Sequence, residues 1–374
     1  MKFIIINADY TKFIDDLYRQ NDGLINKSYN EQLKFRYGTL FGIADFYSKN
    51  LIKLGHEAID IFPNNVYLQK QWARENNIKY SNDYFLEKFP KIYRFIKPNW
   101  YYKILLNQIK LYNPDIIYNL GMESISNSFL EKIKKENKKI KIIGQHAAVI
   151  TSGMKKLDSY DLILSSLPNQ VEYFRSIGVK SCYFKLGFEK SILDIIEKKE
   201  PIYDIVHIGG YGRIHNTRNS LLEKVAEKID NIKFWGFGLK NLQDNSLIVK
   251  KMQGEAWGHK MYDILSRSKI TITMHIKSVA GNYANNMSLY ESTGMGVLLM
   301  VDNKENLHEI FEVGKEVVAY DSADDLVEKI EYYLSNEEER KAIAAAGQKR
   351  TLKEHTYEKR MIELIDIINN NIIF

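Results

Sequence analysis

A segment in the last third of the chain combines residue types that suit a nucleotide. In GNYANNMSLYESTGMG, residues 281–296, amide side chains precede a helical stretch, one carboxylate at Glu291 and a Gly-x-Gly exit. Asn285 or Asn286 can cap a helix whose first turn is residues 286–289, and the free N–H groups of that helix start can bind a diphosphate. Glu291, one turn further, can accept hydrogen bonds from the vicinal hydroxyls of a ribose. The segment predicts a nucleotide site, and a solvated helical glutamate is the alternative for Glu291 taken alone.

A glycine-rich turn about 70 residues earlier suits a phosphate, and it lies in IVHIGGYGRIHNTRNSLLEKV, residues 205–225. Its residues of interest are Gly209, Gly210, Gly212, Arg213 and Arg218. Glycines let the backbone approach a phosphate, and the helix start that follows adds N–H donors. The full Gly-x-Gly-x-x-Gly spacing and its later acid are missing, which disfavours an NAD enzyme. A tight turn with solvated arginines is the simpler explanation of this motif in isolation.

Two further segments place polar or aromatic residues beside this predicted site. The strict alternation of KITITMHIK, residues 269–277, predicts a strand with His275 and Lys277 at its C-terminal end, where both can neutralise a phosphate. Trp257 precedes a helix, and a loop there can hold the base. The alternatives to these binding roles are that His275 is a half-buried histidine with its hydrogen bonds satisfied, that Lys277 is an ordinary surface lysine and that Trp257 only packs in the core.

In the first half of the chain, IGQHAAVI puts His146 at the end of a predicted strand that faces the expected cleft. An imidazole there can assist proton transfer or bind a sugar hydroxyl. A buried histidine bonded to backbone explains the residue equally well.

The elements that position these residues follow a repeating pattern. Apolar runs such as KFIIIN, EAIDIF, PDIIYNL and IKIIGQH alternate with helical stretches, and after residue 190 the alternation restarts with DIVHIGG. Such alternation predicts an α/β protein with parallel sheets. Ligands bind beyond the C-terminal ends of parallel strands, so two such halves would enclose a cleft. The predicted units are residues 1–190, 191–355 and a final helix at 356–374, with Gly347 ending the helix before it.

Length and composition fit two domains of a water-soluble protein. The chain has 374 residues, 45% of them hydrophobic, and a formal net charge of +6. MKFIIINADY predicts a first buried strand rather than a signal peptide. The single cysteine, Cys182, excludes an internal disulfide and fits a reducing cytosol. No Asp-x-Asp, His-x-x-x-His or Cys-x-x-Cys motif points to a metal, so neither metal nor cofactor is expected.

The C-terminal run from ANNMSLYESTGMGVLLMVDN to KRTLKEHTYEKRM resembles bacterial family-1-type glycosyltransferases related to spore maturation proteins. Segments such as WARE, GQHA, LSSLPNQVEYFRSIGVKSCYF and WGHKMYDILSRSKI extend the resemblance through nearly the whole chain. The resemblance implies the GT-B fold, in which two Rossmann-like domains with parallel sheets face a central cleft. It also implies a hexosyltransferase that needs no metal. The implied donor is a nucleoside diphosphate-sugar, and the implied acceptor is a saccharide or a lipid-linked glycan. Such a reaction belongs to polysaccharide biosynthesis for the cell envelope.

By this resemblance the donor binds the second domain and the acceptor meets the first. The resemblance implies that Gly209 to Gly212 and Arg218 lie near the diphosphate, with His275 close by. It places Asn286 at the helix start and implies that Glu291 binds the ribose, with Tyr290 in the same motif. The family's arginine in that motif is Ser288 here, so Lys277, Arg213 or Arg218 would have to compensate. Tyr283 stands where retaining relatives carry a glutamate, so the stereochemistry stays open.

Two other functions stay open at this stage. One is a nucleotide-sugar epimerase or sugar phosphorylase on the same fold, and the other is a non-catalytic saccharide-binding assembly protein. A basic, aromatic segment at residues 85–112 suggests that this cytoplasmic protein contacts an anionic membrane peripherally. The alternative is that the segment forms helices that cover the first domain and that its lysines are simply solvated. No motif indicates nucleic-acid binding.

Overall fold

A computed structural model describes residues 1–81, 97–151 and 157–373. Part of the basic segment, residues 85–96, lies outside the described residues. In its remainder, Trp100 and Tyr101 are each 2% exposed. Lys97 lies over the Tyr101 ring, 5.2 Å from its centroid. Trp100 and Tyr101 belong to the core, so these two aromatic rings offer no surface to a membrane.

The first part of the chain forms a sheet of six parallel strands in the order β2-β1-β3-β4-β5-β6. Phe3 to Ile6 are at most 1% exposed. Such a continuous apolar run is typical of a parallel strand covered on both faces. The strands are β1 Lys2–Ile6, β2 Glu57–Ile61, β3 Ile116–Asn119, β4 Lys141–Gln145, β5 Leu162–Ser165 and β6 Ser181–Tyr183.

The helices of this first domain, as we call the part that carries the six-stranded sheet, connect these strands. Several begin at a capping side chain, as at Ser28, whose hydroxyl accepts from the Glu31 N–H while the Glu31 carboxylate accepts from the Ser28 N–H. The described helices are α1 Thr11–Gln20, α2 Tyr29–Gly38, α3 Phe46–Lys53, α4 Val66–Glu75, α5 Asn99–Tyr112, α6 Asn127–Glu136, α7 Pro168–Ser176 and the short α8 Ile192–Ile195.

A second parallel sheet, of five strands in the order β11-β10-β9-β7-β8, defines the second domain. Its strands are β7 Tyr203–Gly210, β8 Ile232–Phe237, β9 Ser268–Thr273, β10 Leu298–Asp302 and β11 Val318–Tyr320. Its helices are α9 Asn216–Lys228, α10 Leu247–Lys250, α11 His259–Ser266, α12 Lys277–Ala280, α13 Met287–Gly294, α14 Ala323–Ser335 and α15 Glu337–Glu354, followed by α16 Tyr357–Asn371. Two parallel sheets with helices between the strands confirm the predicted α/β fold class.

The chain passes between the two domains twice, and the two crossings touch. The Phe188 N–H donates to the His355 carbonyl at 2.8 Å, and the Tyr357 N–H donates to the Phe188 carbonyl at 3.0 Å. Beyond this bridge α16 returns to the first domain, where the Tyr357 ring packs on Phe46 and Tyr47 of α3. The division of the chain at residues 190 and 355 stays a prediction.

Two local predictions were wrong. Gly347 does not end a helix but lies inside α15. The position requires glycine because a side chain there would come within 2.3 Å of the Glu316 carbonyl oxygen. The alternating segment 269–277 is not one strand throughout, since β9 ends at Thr273 and Lys277 begins α12. Thr271 and Thr273 are buried like their apolar neighbours, because both faces of the sheet are covered.

Candidate active site

A central cavity of about 340 Å³ lies between the two domains, at the C-terminal ends of strands from both sheets. Its first-domain wall is formed by Asn7, Ala8, Asp9, Tyr10, Arg36, Phe41, Gly42 and Ile43. Its second-domain wall is formed by Ile208, Gly209, Gly236, Phe237, Ala256, Trp257, Gly258, Met261, Met287 and Glu291. Parallel strands expose backbone groups at these ends, so this is where a ligand is expected.

Glu291 faces the central cavity from the second turn of α13. Its Oε1 atom accepts a hydrogen bond from the Tyr262 hydroxyl at 3.5 Å. Burial raises the pKa of Glu291 to about 7, because a low-dielectric surrounding disfavours the charged form. A buried carboxyl group with a raised pKa is suited to binding hydroxyl groups, because hydrogen bonds donated by them would favour its ionised form.

The start of α13 leaves backbone donors for a ligand. Asn286 occupies the N-cap position, as the sequence predicted, but its side chain makes no capping bond. Its amide instead donates to the Met274 carbonyl at 3.4 Å. The first N–H groups of α13 are therefore not satisfied by a cap, and they suit an anion together with the positive end of the helix dipole.

The predicted glycine turn ends β7 and touches β8 closely. A side chain at Gly236, where φ is +142°, would come within 1.7 Å of the Gly209 carbonyl oxygen. Arg218, from the first turn of α9, donates from Nη2 to the Gly210 carbonyl. Its guanidinium also lies 3.4 Å from where a Gly209 side chain would start. Only glycine at 236 lets the two strand ends approach each other this closely, whereas a side chain at 209 would meet the side chains of His207 and Arg218.

A second, basic cavity of about 330 Å³ lies next to this turn and is lined by Ile214, His215, Thr217, Arg218, His275, Ile276, Lys277 and Ser278. Burial and the nearby Arg218 lower the pKa of His215 to about 4, so His215 is neutral at pH 7. The fixed positive charges of this cavity therefore come from Arg218 and Lys277. A cavity with two cations and no lining carboxylate suits an anion such as a diphosphate.

His275 is held at both ring nitrogens. Its Nδ1 lies 2.7 Å from Asp302 Oδ1, and the backbone N–H of Asn286 points at its Nε2 at 3.4 Å. A neutral ring protonated at Nδ1 satisfies both contacts. His275 thus connects β10 to the start of α13 and orients the helix start.

Ser288 makes a hydrogen bond that an arginine would not. Its hydroxyl lies 2.8 Å from the Thr273 hydroxyl at the end of β9. The position is therefore tied to the sheet, and it supplies no cation to the site. Arg218 and Lys277 are the basic residues that line the adjoining cavity.

Trp257 joins an aromatic cluster that spans the two domains. Its ring stacks on Phe237 at 5.1 Å and meets the edge of Phe41 at 5.1 Å. Tyr10, which is 60% exposed, lies 6.1 Å from Trp257. Trp257 lines the central cavity, so packing and contact with a base are compatible roles.

Other predicted residues lie apart from both cavities. Tyr290 packs against Phe311 and His355 and is 2% exposed. Arg213 donates from Nε to Asn241 at 3.2 Å on the surface. Gly212 follows the turn without lining either cavity.

His146 is also outside the central cavity. It is 5% exposed and packs edge-on against Phe174. Burial lowers its pKa to about 4, and its Nε2 has no hydrogen-bond partner within the described residues.

The sequence prediction missed the first-domain wall. Asp9 and Arg36 form a buried, two-bond ion pair beside the cavity, with Nε to Oδ2 at 3.1 Å and Nη2 to Oδ1 at 2.5 Å. The available signal was the position of Asn7 to Tyr10 directly after the first predicted strand. Arg36 gave no signal, because its place beside β1 follows only from the fold.

Two general observations bear on cofactors and membranes. Across residues 1–81, 97–151 and 157–373, no group of three or more His, Cys, Asp or Glu side chains is arranged to hold a metal ion. Within the same ranges, every helix is too short or too polar to cross a membrane.

Comparison with known proteins gives the fold and a family similarity for the C-terminal part. Residues 217–366 match a family model described as glycosyl transferase-like. No curated protein matches the chain in sequence. The matched residues include Arg218, His275 and Glu291, and they cover the part of the second-domain wall from Gly236 to Glu291.

Solved structures match over almost the full chain. A glycosyltransferase from Rickettsia africae superposes with a TM-score of 0.60 at 13% identity and covers 99% of this chain and 98% of its own. Anabaena Alr3699/HepE, solved with UDP-glucose, gives 0.61 at 10% identity over 99% of this chain and 100% of its own. AviGT4, a glycosyltransferase of avilamycin A biosynthesis, gives 0.58 at 10% identity, with 99% and 98% coverage. These likenesses confirm the predicted GT-B fold.

Proposed function

We propose that this protein is a hexosyltransferase that moves a sugar from a nucleoside diphosphate-sugar to a saccharide or lipid-linked glycan. The observation that carries the proposal is the meeting, at one interdomain cavity, of Glu291, the Gly209 turn and the uncapped start of α13. A nucleotide has a diol, a diphosphate and a base. The second-domain wall offers a carboxylate, N–H donors and an aromatic ring, and Arg218 and Lys277 line the adjoining basic cavity. The glycosyl transferase-like match over residues 217–366 supports the same function.

In this proposal Glu291 accepts hydrogen bonds from the two ribose hydroxyls, and Trp257 is the ring beside the base. The diphosphate lies between Gly209 and the start of α13, within reach of Arg218 and Lys277 of the basic cavity. The bond from the anomeric carbon to the diphosphate oxygen breaks as an acceptor hydroxyl attacks that carbon, and the proton of that hydroxyl passes to the released diphosphate or to water. Arg218, Lys277 and the helix start stabilise the charge that develops on the leaving diphosphate. These groups supply the positive charge from the chain itself, so we propose a metal-independent reaction.

The first test of the donor is a uridine nucleotide, because the Anabaena protein was solved with UDP-glucose. The acceptor enters from the first-domain wall. We place the reaction in the cytoplasm, where nucleotide sugars are made, with peripheral contact to the inner membrane face when the acceptor is lipid-linked. The relation to spore maturation proteins stays a prediction.

The test is acceptor-dependent release of nucleoside diphosphate, measured with a panel of nucleotide sugars and saccharides in the presence of EDTA. The proposal expects release that requires an acceptor, with the glycoside product detected by mass spectrometry. Conversion of donor alone would indicate an epimerase, and dependence on inorganic phosphate would indicate a phosphorylase. Glycan binding without any release would favour a non-catalytic protein, a role that Ser288 in place of the family arginine makes worth testing. His146→Ala belongs in the same assay, because a catalytic role for His146 stays a prediction.

A further inference from the structure

Arg36 occupies a position where four parts of the first domain meet. It extends from α2 and is 1% exposed. Its guanidinium bonds to Asp9 in the segment after β1 and donates from Nη1 to the Phe41 carbonyl at 3.1 Å. The same group lies 4.3 Å from the centroid of Phe62, which follows β2. One side chain therefore ties together the segments that form the first-domain wall.

The segment that Arg36 holds is strained. In residues 39–44, Leu40 has φ +57° and Ala44 has φ +45°, and Gly42 between them has φ +60°. Residues with a side chain rarely adopt this left-handed conformation, and they persist there only when surrounding contacts enforce it. The Arg36 bond to the Phe41 carbonyl is such a contact, and the Thr39 hydroxyl adds a bond back to the Arg36 carbonyl at 2.7 Å.

This strained segment is also where the first domain contacts the second. The Thr39 carbonyl accepts the N–H of His259, the first residue of α11, at 2.8 Å. The Phe41 ring meets the edge of Trp257. A shift of residues 39–44 would therefore move the first-domain wall relative to the proposed donor site.

We propose that Arg36 is a positioning residue for the acceptor, acting through Asp9 and the 39–44 segment rather than by touching the reacting atoms. This inference rests on the proposed glycosyl transfer. The paired charges of Asp9 and Arg36 cancel, so the wall they support carries no net charge. It thereby suits a hydroxyl-bearing acceptor next to the exposed Tyr10 ring. The proposed polar contacts of the donor nucleotide are all in the second domain, so we expect its affinity to depend on Arg36 much less than acceptor turnover does.

Two variants test this role. Arg36→Lys keeps the charge but cannot make the two parallel bonds to Asp9 and reach Phe41 as well. The double variant Asp9→Leu with Arg36→Met removes both charges, which avoids a buried unpaired ion if the first variant fails to fold. Arg340→Lys is the matched control. Arg340 is also buried, at 4% exposure, and bonds to the Tyr333 carbonyl, but it lies outside both cavities.

We expect Arg36→Lys to lower kcat/KM for the acceptor by about tenfold to a hundredfold, because small displacements of a reactant are costly. The affinity for the nucleoside diphosphate should change less than twofold, and Arg340→Lys should leave the acceptor kinetics unchanged. Unchanged acceptor kinetics in a folded Arg36 variant would overturn the inference. So would an equal loss of nucleotide affinity, since Arg36 would then act on the whole fold.

Hydrogen exchange separates this inference from the proposed function. The amide hydrogens of Thr39, Leu40 and Ala44 are all hydrogen bonded in the native segment. They should exchange faster in Arg36→Lys than in the wild type or in Arg340→Lys, whether or not any acceptor is turned over. Exchange at the wild-type rate in Arg36→Lys would contradict the role of Arg36 in holding residues 39–44. Absence of transfer by the wild-type protein would instead contradict the proposed function.

Discussion

At the scale of single residues, the protonation of Glu291 links nucleotide binding to pH. Its pKa in the free protein is raised to about 7 by burial. Hydrogen bonds from ribose hydroxyls favour the ionised carboxylate, so its pKa falls when a nucleotide binds. Below pH 7 the protein must therefore release a proton to bind, and the cost of that release grows as the pH falls.

We predict that nucleotide affinity rises as the pH rises toward about 7 and becomes flat above that value. Glu291→Gln is the control, because the amide keeps the shape without titrating. It should bind more weakly, by about tenfold, since hydrogen bonds to a charged group are the stronger ones. Calorimetric titrations from pH 5.5 to 8.5, an interval of about three units around the shifted value, compare the two proteins. Equal pH profiles for the two would contradict a titrating role for Glu291.

At the scale of elements, the start of α11 is a contact between the domains. Gly258 has φ +45°, and a side chain there would come within 2.0 Å of the Thr39 carbonyl oxygen. Gly254, in the same loop, has φ +98° with nothing within 4 Å of its missing side chain. The two glycines thus share a backbone requirement, and only Gly258 also has a steric one.

Gly258→Ala should therefore separate the domains, whereas Gly254→Ala should only lower the free energy of unfolding. A residue with a side chain is strained at either positive φ, at a cost of roughly 1–3 kcal/mol. The collision adds to that cost only at position 258, and it should increase the radius of gyration measured by X-ray scattering. Urea unfolding and scattering of both variants test this difference. A Gly258→Ala protein as compact and as stable as Gly254→Ala would show that the contact is not needed for closure.

The same scale shows what sequence could and could not predict. Both parallel sheets, the N-cap position at Asn286 and the turn at Gly209 follow from local patterns of period and residue type. The Asp9–Arg36 pair does not, because its partners lie 27 positions apart and meet only once β1 and α2 have packed. Gly347 was misplaced for a related reason, since a glycine needed for close packing looks like a helix-ending glycine in the sequence.

At the scale of the whole molecule, the two domains are joined closely enough to act together. The crossings at Phe188 and Thr356 form a parallel bridge, and α16 packs back on α3 of the first domain. An ion pair between Lys12 and Glu255, at 3.1 Å, adds a contact across the cleft. The proposed donor site lies on one side of this cleft and the Arg36-supported wall on the other. Small movements about the bridge would therefore bring donor and acceptor together.

The central claim is that Glu291 holds the ribose of a nucleoside diphosphate in the central cavity. Calorimetric titration of UDP, GDP and ADP into the wild type and Glu291→Ala at pH 8 tests it most directly. We predict that the wild type binds at least one of them in a one-to-one complex. Glu291→Ala should bind the same nucleotide about tenfold to a hundredfold more weakly, because charged hydrogen bonds are lost. Equal affinity in the two proteins, or no binding of any nucleoside diphosphate by the wild type, would contradict the claim.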